Sequence, residues 1–180
     1  KLNLIMQDDS ILSTNTSSLS INKFSSLYKA PSKFIGIHFF NPPVVMPLVE
    51  VSKGLSTSSE TIKLVSDFID NIDKKPVFIV DQPGFIVNRI LIPMINEAIF
   101  VLQEGVASVE EIDRAMKLGS NQPMGPLELA DFIGLDTCLS IMETLHQNFG
   151  DDKYRPASLL RKYVDGNFLG RKTKQGFYTY

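Results

Sequence analysis

The chain has 180 residues, 43% hydrophobic and 21% charged, enough apolar material for one large domain or two small ones. Eighteen Lys and Arg against twenty Asp and Glu leave a net charge of −2, without the basic excess of a nucleic-acid-binding surface. A single cysteine excludes an internal disulfide, no apolar run reaches the roughly 18 residues of a membrane span, and the two histidines lack metal-ligand spacing.

The opening Lys1-Leu2-Asn3-Leu4 runs straight into Gln7-Asp8-Asp9-Ser10, which is not a signal peptide. The chain starts on Lys1 rather than Met and reads as a fragment of something longer. Residues 11–14 form a short strand candidate ending at Asn15, and 34–40, rich in aromatic and β-branched residues, a second. Residues 44–51 read as a third strand, placed at an edge or bulge because Pro47 lacks a ladder donor. Thr57-Ser58-Ser59-Glu60 has capping-box form, with Thr57 as the cap, and opens a helix whose apolar stripe is Ile62, Val65, Ile69 and Ile72. The strand 76–80 follows, so the first part alternates as in the second half of a doubly wound sheet.

From residue 83 the pattern is helical. Asp81-Gln82-Pro83-Gly84 signals a turn and the entry to a helix running to Glu104, with Val87, Leu91, Met94, Ile95, Ala98, Ile99 and Leu102 on one face and Gly105 as its stop. Ser108-Val109-Glu110-Glu111 is a second capping box, opening a helix over 109–118. Gly125-Pro126 restarts a helix through Phe132, Asp136 is a candidate cap for one ending near Asn148, and 156–164 is the last. The stretch 13–26 is serine-rich, and Cys138 reads as a small buried hydrophobe. The boundary is set at 82: a sheet domain over 1–82 and a helical domain over 83–180.

Four places carry candidate chemistry. His38 ends a strand and is followed by Phe39-Phe40-Asn41-Pro42-Pro43, which turns the chain; if it doubles back near position 44, His38 faces Glu50. A carboxylate beside a histidine fixes its tautomer and stabilises the imidazolium, as a general base for a secondary alcohol requires. A structural strand-end histidine is the other reading. Asn15-Thr16-Ser17-Ser18 follows a strand, where open α/β sheets place ligand loops, though a plain turn or cap has the same signature. Asn88 is a polar residue among Phe85, Ile86, Val87, Ile90 and Leu91 and must find partners by binding or by packing. The basic stretch Gly170-Arg171-Lys172-Thr173-Lys174-Gln175-Gly176 reads as a solvated tail, with closure over a phosphate-bearing ligand as the alternative.

Taken together, STNTSSLSI, GIHFFNPPVVMPLVEV, DQPGFIVNRILIPMINEA, DRAMKLGSNQPMGPLELADFIGLD and GRKTKQGFY, in that order, resemble the 3-hydroxyacyl-CoA dehydrogenase family over residues 10–180. The likeness is nearest to its bacterial 3-hydroxybutyryl-CoA branch. The resemblance implies an α/β class: the second half of a Rossmann-like doubly wound sheet, then an all-α domain for dimerisation and substrate. It implies NAD or NADP as cofactor, a short-chain acyl-CoA substrate, a homodimer and a cytoplasmic enzyme of fatty-acid and butyrate metabolism, with no metal, nucleic acid or membrane. Ser17 would bond the substrate's 3-oxygen beside the nicotinamide, and His38 would act as the base, oriented by Glu50. Asn88 would hold the thioester end, Asn41 would contact the coenzyme A portion, and Lys172 would approach the cofactor from the tail.

The family opens on a strand and a GxGxxG turn that binds the dinucleotide pyrophosphate, and this sequence has no such motif. By that layout the N-terminal half of the cofactor domain, about a hundred residues, is missing. The 180 residues alone are then expected to bind NAD poorly, to be nearly inactive and to be poorly soluble. The alternatives are a non-catalytic structural or dimerisation homologue on the same scaffold, and another two-domain NAD-dependent dehydrogenase.

Overall fold

The computed structural model describes residues 2–17 and 19–180, and the chain divides into two compact units, Lys1–Ile86 and Val87–Tyr180. Among the described residues no helix is long and apolar enough to cross a membrane.

The first unit runs α1 (Leu2–Ile5), β1 (Leu12–Thr14), α2 (Ile21–Ser25), a 3-10 turn (Pro31–Lys33), β2 (Phe34–Phe39), β3 (Leu48–Lys53), α3 (Ser59–Asn71) and β4 (Lys75–Val80). The strands form one sheet in the order β1-β2-β3-β4, with β1/β2 and β3/β4 parallel and β2/β3 antiparallel. The central strands are buried almost throughout because both faces are covered. Ile35, Ile37, Val49 and Val51 pack on Val65 and Ile69 of α3. Ile21, Tyr28, Phe34, Ile79 and Phe85 form a second cluster.

Several boundaries differ from the sequence reading, each for a local reason. The third strand begins at Leu48, not at 44, because the amides of Val45 and Met46 both turn back onto the Pro42 carbonyl at 3.0 Å. Pro47 therefore lies outside β3, which is an interior strand rather than an edge. Pro76 does sit inside a strand, and that strand, β4, is the last in the sheet order, where a missing donor is tolerated. The cap of α3 is Ser58, whose hydroxyl accepts from the Thr61 amide. Thr57 is occupied elsewhere, accepting from Gly54 N and donating to the Phe34 carbonyl. Ile72 is the C-cap rather than part of the stripe, and is 40% exposed.

Helix α2 was not expected in the serine-rich stretch. It forms because the carboxylate of Asp81, past the end of β4, accepts from Ser20 Oγ, Asn22 N and Asn22 Nδ2 at 2.8–2.9 Å. Ile21 then seats tightly on β2, where a Cβ at Gly36 would come within 2.7 Å of Ile21 Cδ1.

The second unit is helical: α4 (Val87–Gln103), α5 (Val109–Ser120), α6 (Pro126–Ile133), α7 (Leu135–Phe149), a 3-10 turn (Asp152–Tyr154), α8 (Ser158–Asp165) and a final 3-10 turn (Arg171–Thr173). Its core centres on Ile95, Ile99, Leu127, Leu135, Met142 and Leu145, with Cys138 fully buried among them. Helix α4 begins four residues after Pro83 because Gly84 and Phe85 both have positive φ, +75° and +51°, incompatible with a helix. Gly105, with φ +71°, follows its end, and Ser108 caps α5 as its spacing predicts. Asp136 is not the cap of α7; Gly134 is, and Asp136 lies in the first turn. Asn96 sits on the buried face of α4, where its carboxamide donates to the Arg155 carbonyl and accepts from Ala157 N.

Two buried aspartates organise this unit. Asp113, on α5, accepts from Leu127 N at 2.8 Å and Glu128 N at 2.9 Å, capping α6 from outside its own sequence, and from the Tyr178 hydroxyl. Asp131, on α6, accepts from Phe177 N, Tyr178 N and the Tyr180 hydroxyl. The C-terminal segment is thus folded onto the helices rather than loose, with bridges Gly170 to Gln175 and Gln175 to Thr179, while Arg171, Lys172, Lys174 and Gln175 stay exposed. Burial pushes the Asp131 carboxyl above its ordinary range even against these bonds.

Candidate active site

The site is built from a register. In the antiparallel β2/β3 ladder His38 and Glu50 are direct cross-strand partners, so both side chains leave the same face of the sheet. His38 Nδ1 lies 3.0 Å from Glu50 Oε2, and the two side chains are 10% and 1% exposed. The other carboxylate oxygen, Oε1, accepts from the Ile86 amide at 3.0 Å. A buried carboxylate is stable only when donors converge on it, and here an imidazole N–H and a backbone N–H do so. A carboxylate only accepts, so the proton of the neutral ring sits on Nδ1 and the lone pair on Nε2. The imidazole is walled by Phe40 and Phe85, with ring centroids at 4.5 and 5.9 Å.

Ser17 lies in the loop after β1. Because β1 runs parallel to β2, that loop leaves the sheet at the same end as His38. Asn15 ties the two together: its Oδ1 accepts from Phe39 N at 3.0 Å. Thr16 shapes the loop through its hydroxyl, which accepts from Leu19 N. Ser18 lies outside the described residues. Asn41 is exposed on the loop that follows β2, and its bond to Pro42 is cis.

The remaining sequence-derived residues belong to the second unit. Asn88 is the second residue of α4 and half-buried. Lys172 donates to Asp136 Oδ1 at 2.7 Å and to Thr137 Oγ1 at 3.1 Å, at the start of α7. Burial pushes the Asp136 carboxyl up, but Lys172 and the backbone amides at the start of α7 together outweigh it and hold it below its usual range.

What the sequence reading missed is the part played by Asn15, which joins the Ser17 loop to β2, and by the Pro83-Gly84-Phe85-Ile86 turn, which delivers an amide to Glu50. A signal for the second was present: Pro-Gly ahead of an apolar run is a type II turn, and the Phe85 amide does bond back to the Gln82 carbonyl.

Comparison with known proteins agrees over the whole chain. Residues 1–82 match the family described as "3-hydroxyacyl-CoA dehydrogenase, NAD binding domain", and residues 84–180 match "3-hydroxyacyl-CoA dehydrogenase, C-terminal domain". The chain is 56% identical over 179 residues to a 3-hydroxybutyryl-CoA dehydrogenase of Clostridioides difficile, covering 99% of this chain and 64% of the relative. It is 53% identical over 176 residues to a Bradyrhizobium diazoefficiens protein of the same name, covering 98% and 60%. The crystal structure of the (S)-3-hydroxybutyryl-CoA dehydrogenase from Ralstonia eutropha superposes with a TM-score of 0.96 at 52% identity, over 99% of this chain and 63% of that one. The chain spans between 60% and 65% of the length of these curated bacterial relatives.

Proposed function

Because the chain belongs to the 3-hydroxyacyl-CoA dehydrogenase family, we propose that the protein carrying it interconverts (S)-3-hydroxyacyl-CoA and 3-oxoacyl-CoA. The substrates we assign are short, of the 3-hydroxybutyryl and acetoacetyl type, and the redox partner is NAD or NADP. The observation that carries this reading is the buried His38–Glu50 pair, which leaves one imidazole nitrogen able to take a proton.

In the oxidative direction His38 Nε2 accepts the proton of the 3-hydroxyl while C3 becomes a carbonyl carbon. A nicotinamide cofactor would supply the hydride acceptor for C3. Glu50 stabilises the imidazolium and holds the ring in place; in the reverse direction His38 returns the proton to the 3-oxygen. General base catalysis of this kind contributes about 10²- to 10⁴-fold.

The residues of the first unit fit the nicotinamide end of such a cofactor. Asn15, Thr16 and Ser17 set polar groups at the C-terminal end of a parallel strand, where open α/β sheets hold dinucleotides. Ser17 would donate to the substrate's 3-oxygen, Asn88 would hold the thioester carbonyl and Asn41 the coenzyme A portion. Lys172 would offer its positive charge to the cofactor in exchange for Asp136. We read residues 1–82 as the cofactor-binding part and 83–180 as the substrate and dimerisation part of a cytoplasmic homodimer. Ile90 and Leu118, 68% and 77% exposed, supply apolar surface on the helical unit.

The test is His38→Gln in the intact protein, followed by NADH-linked reduction of acetoacetyl-CoA. We expect kcat to fall by about 10²-fold or more with KM little changed. A variant that kept full activity would overturn the assignment of His38.

A further inference from the structure

We propose that the turn Pro83-Gly84-Phe85-Ile86 is a positioning device that fixes which way the side-chain carboxyl group of residue 50 faces, an orientation that decides the His38 tautomer once the two oxygens are made unequal. The inference rests on the reading of His38 as the proton acceptor, but its geometry is independent of the substrate.

Two successive residues in the turn have positive φ, Gly84 at +75° and Phe85 at +51°. Glycine adopts that region freely; phenylalanine does so only when something holds it there. What holds it is its ring, 5% exposed, packed with Ile21, Tyr28, Phe34 and Ile79 and lying 5.9 Å from the His38 ring. The backbone consequence is that the next amide, Ile86 N–H, is aimed at Glu50 Oε1 at 3.0 Å. That leaves Oε2 for His38 Nδ1. The two oxygens therefore have unequal neighbours: one faces a donor that cannot titrate or rotate, the other a ring nitrogen that can act as donor or acceptor. A carboxylate hides this asymmetry, because either oxygen accepts. A carboxamide exposes it.

In Glu50→Gln the Ile86 N–H requires the amide oxygen, which puts the amide NH2 against His38 Nδ1. A donor there forces Nδ1 to accept, so the ring proton moves to Nε2 and the proton-accepting nitrogen is lost. In that variant the turn, through the orientation it gives residue 50, dictates the tautomer.

The experiment is 15N NMR of the histidine rings in the intact protein, at a pH where both are neutral, with His146 assigned by its absence in His146→Gln. The native protein is expected to show His38 protonated on Nδ1. Glu50→Gln is expected to show it protonated on Nε2, with kcat reduced by at least tenfold. Adding Phe85→Gly, which frees the backbone and removes the ring anchor, is expected to return a mixture of both tautomers. Retention of the Nδ1–H form in Glu50→Gln would overturn the proposal, as would complete inversion that persists when Phe85→Gly is added. If the double variant does not fold, the single variant still decides. A His38→Gln enzyme with full activity would remove the proposed function and leave the tautomer result standing.

Discussion

Gly125 is the N-cap of α6, and its place is defined by what stands beside it. Its φ of −68° and ψ of 158° suit any residue, so Gly125→Ala carries no backbone penalty. The added methyl, however, would overlap Cβ and Cγ of Asp113 and come within 2.5 Å of Oδ1. Restoring an ordinary contact moves the carboxylate by about 1 Å. Asp113 Oδ1 is 2.8 Å from Leu127 N and Oδ2 is 2.9 Å from Glu128 N, so that shift carries both beyond hydrogen-bond reach. Two first-turn amides lose a charged acceptor in a buried setting, at about 1–2 kcal/mol each, or about 2–4 kcal/mol together. The assay is native-state hydrogen exchange of the Leu127 and Glu128 amides, where that loss corresponds to about 30- to 1000-fold faster exchange. Protection within about threefold of native would refute the argument that the glycine exists to seat a carboxylate.

Asp131 gives a pH signature. Burial raises its folded-state pKa above the ordinary 3.8, so the folded chain holds the proton to higher pH than the unfolded chain. Its contribution is fully present below the unfolded value and is lost as pH rises through the folded one. The urea midpoint of the native protein relative to Asp131→Asn is therefore expected to fall as pH rises above the ordinary 3.8, and a rise there would sink the reasoning. Cys138 is fully buried and its thiol is pushed up to about 12 from 9.0, chiefly by burial. Thiolate-directed alkylation of the native protein is expected to be about a thousandfold slower than of a free thiol, and prompt labelling would show that the helical core opens readily.

What the sequence made legible was local. The Asn-Pro-Pro turn after His38 and the count to Glu50 are enough to pair them, because a strand reversal near position 44 puts 38 and 50 opposite each other. The Ser108 cap, the Gly105 stop and the Ile62, Val65 and Ile69 stripe of α3 follow from local patterns, whereas the same patterns put the cap of α3 one residue early, at Thr57. What stayed hidden depends on partners distant in sequence. The Ile86 amide reaches Glu50 across 36 positions, and Asp81 secures α2 across about sixty. Nothing in the local sequence marks Asp113 and Asp131, on which Leu127, Phe177 and Tyr178 converge. Asn96 stood in an apolar stretch with no sequence cue that Arg155 and Ala157 would satisfy it. The substrate-side residues Asn41, Asn88 and Lys172 were legible only by resemblance, since nothing about their spacing singles them out.

The His38–Glu50 contact is a rung of a ladder, and the eight residues between the two strands, 40–47, hang outside it with 41–47 exposed. Beyond Phe40, which walls the imidazole, insertion or replacement in the loop leaves the rung intact, because register is set by Ile35, Ile37, Val49 and Val51 in the core. An evolving or engineered lineage can rewrite what the loop touches while the proton-handling pair stays in place.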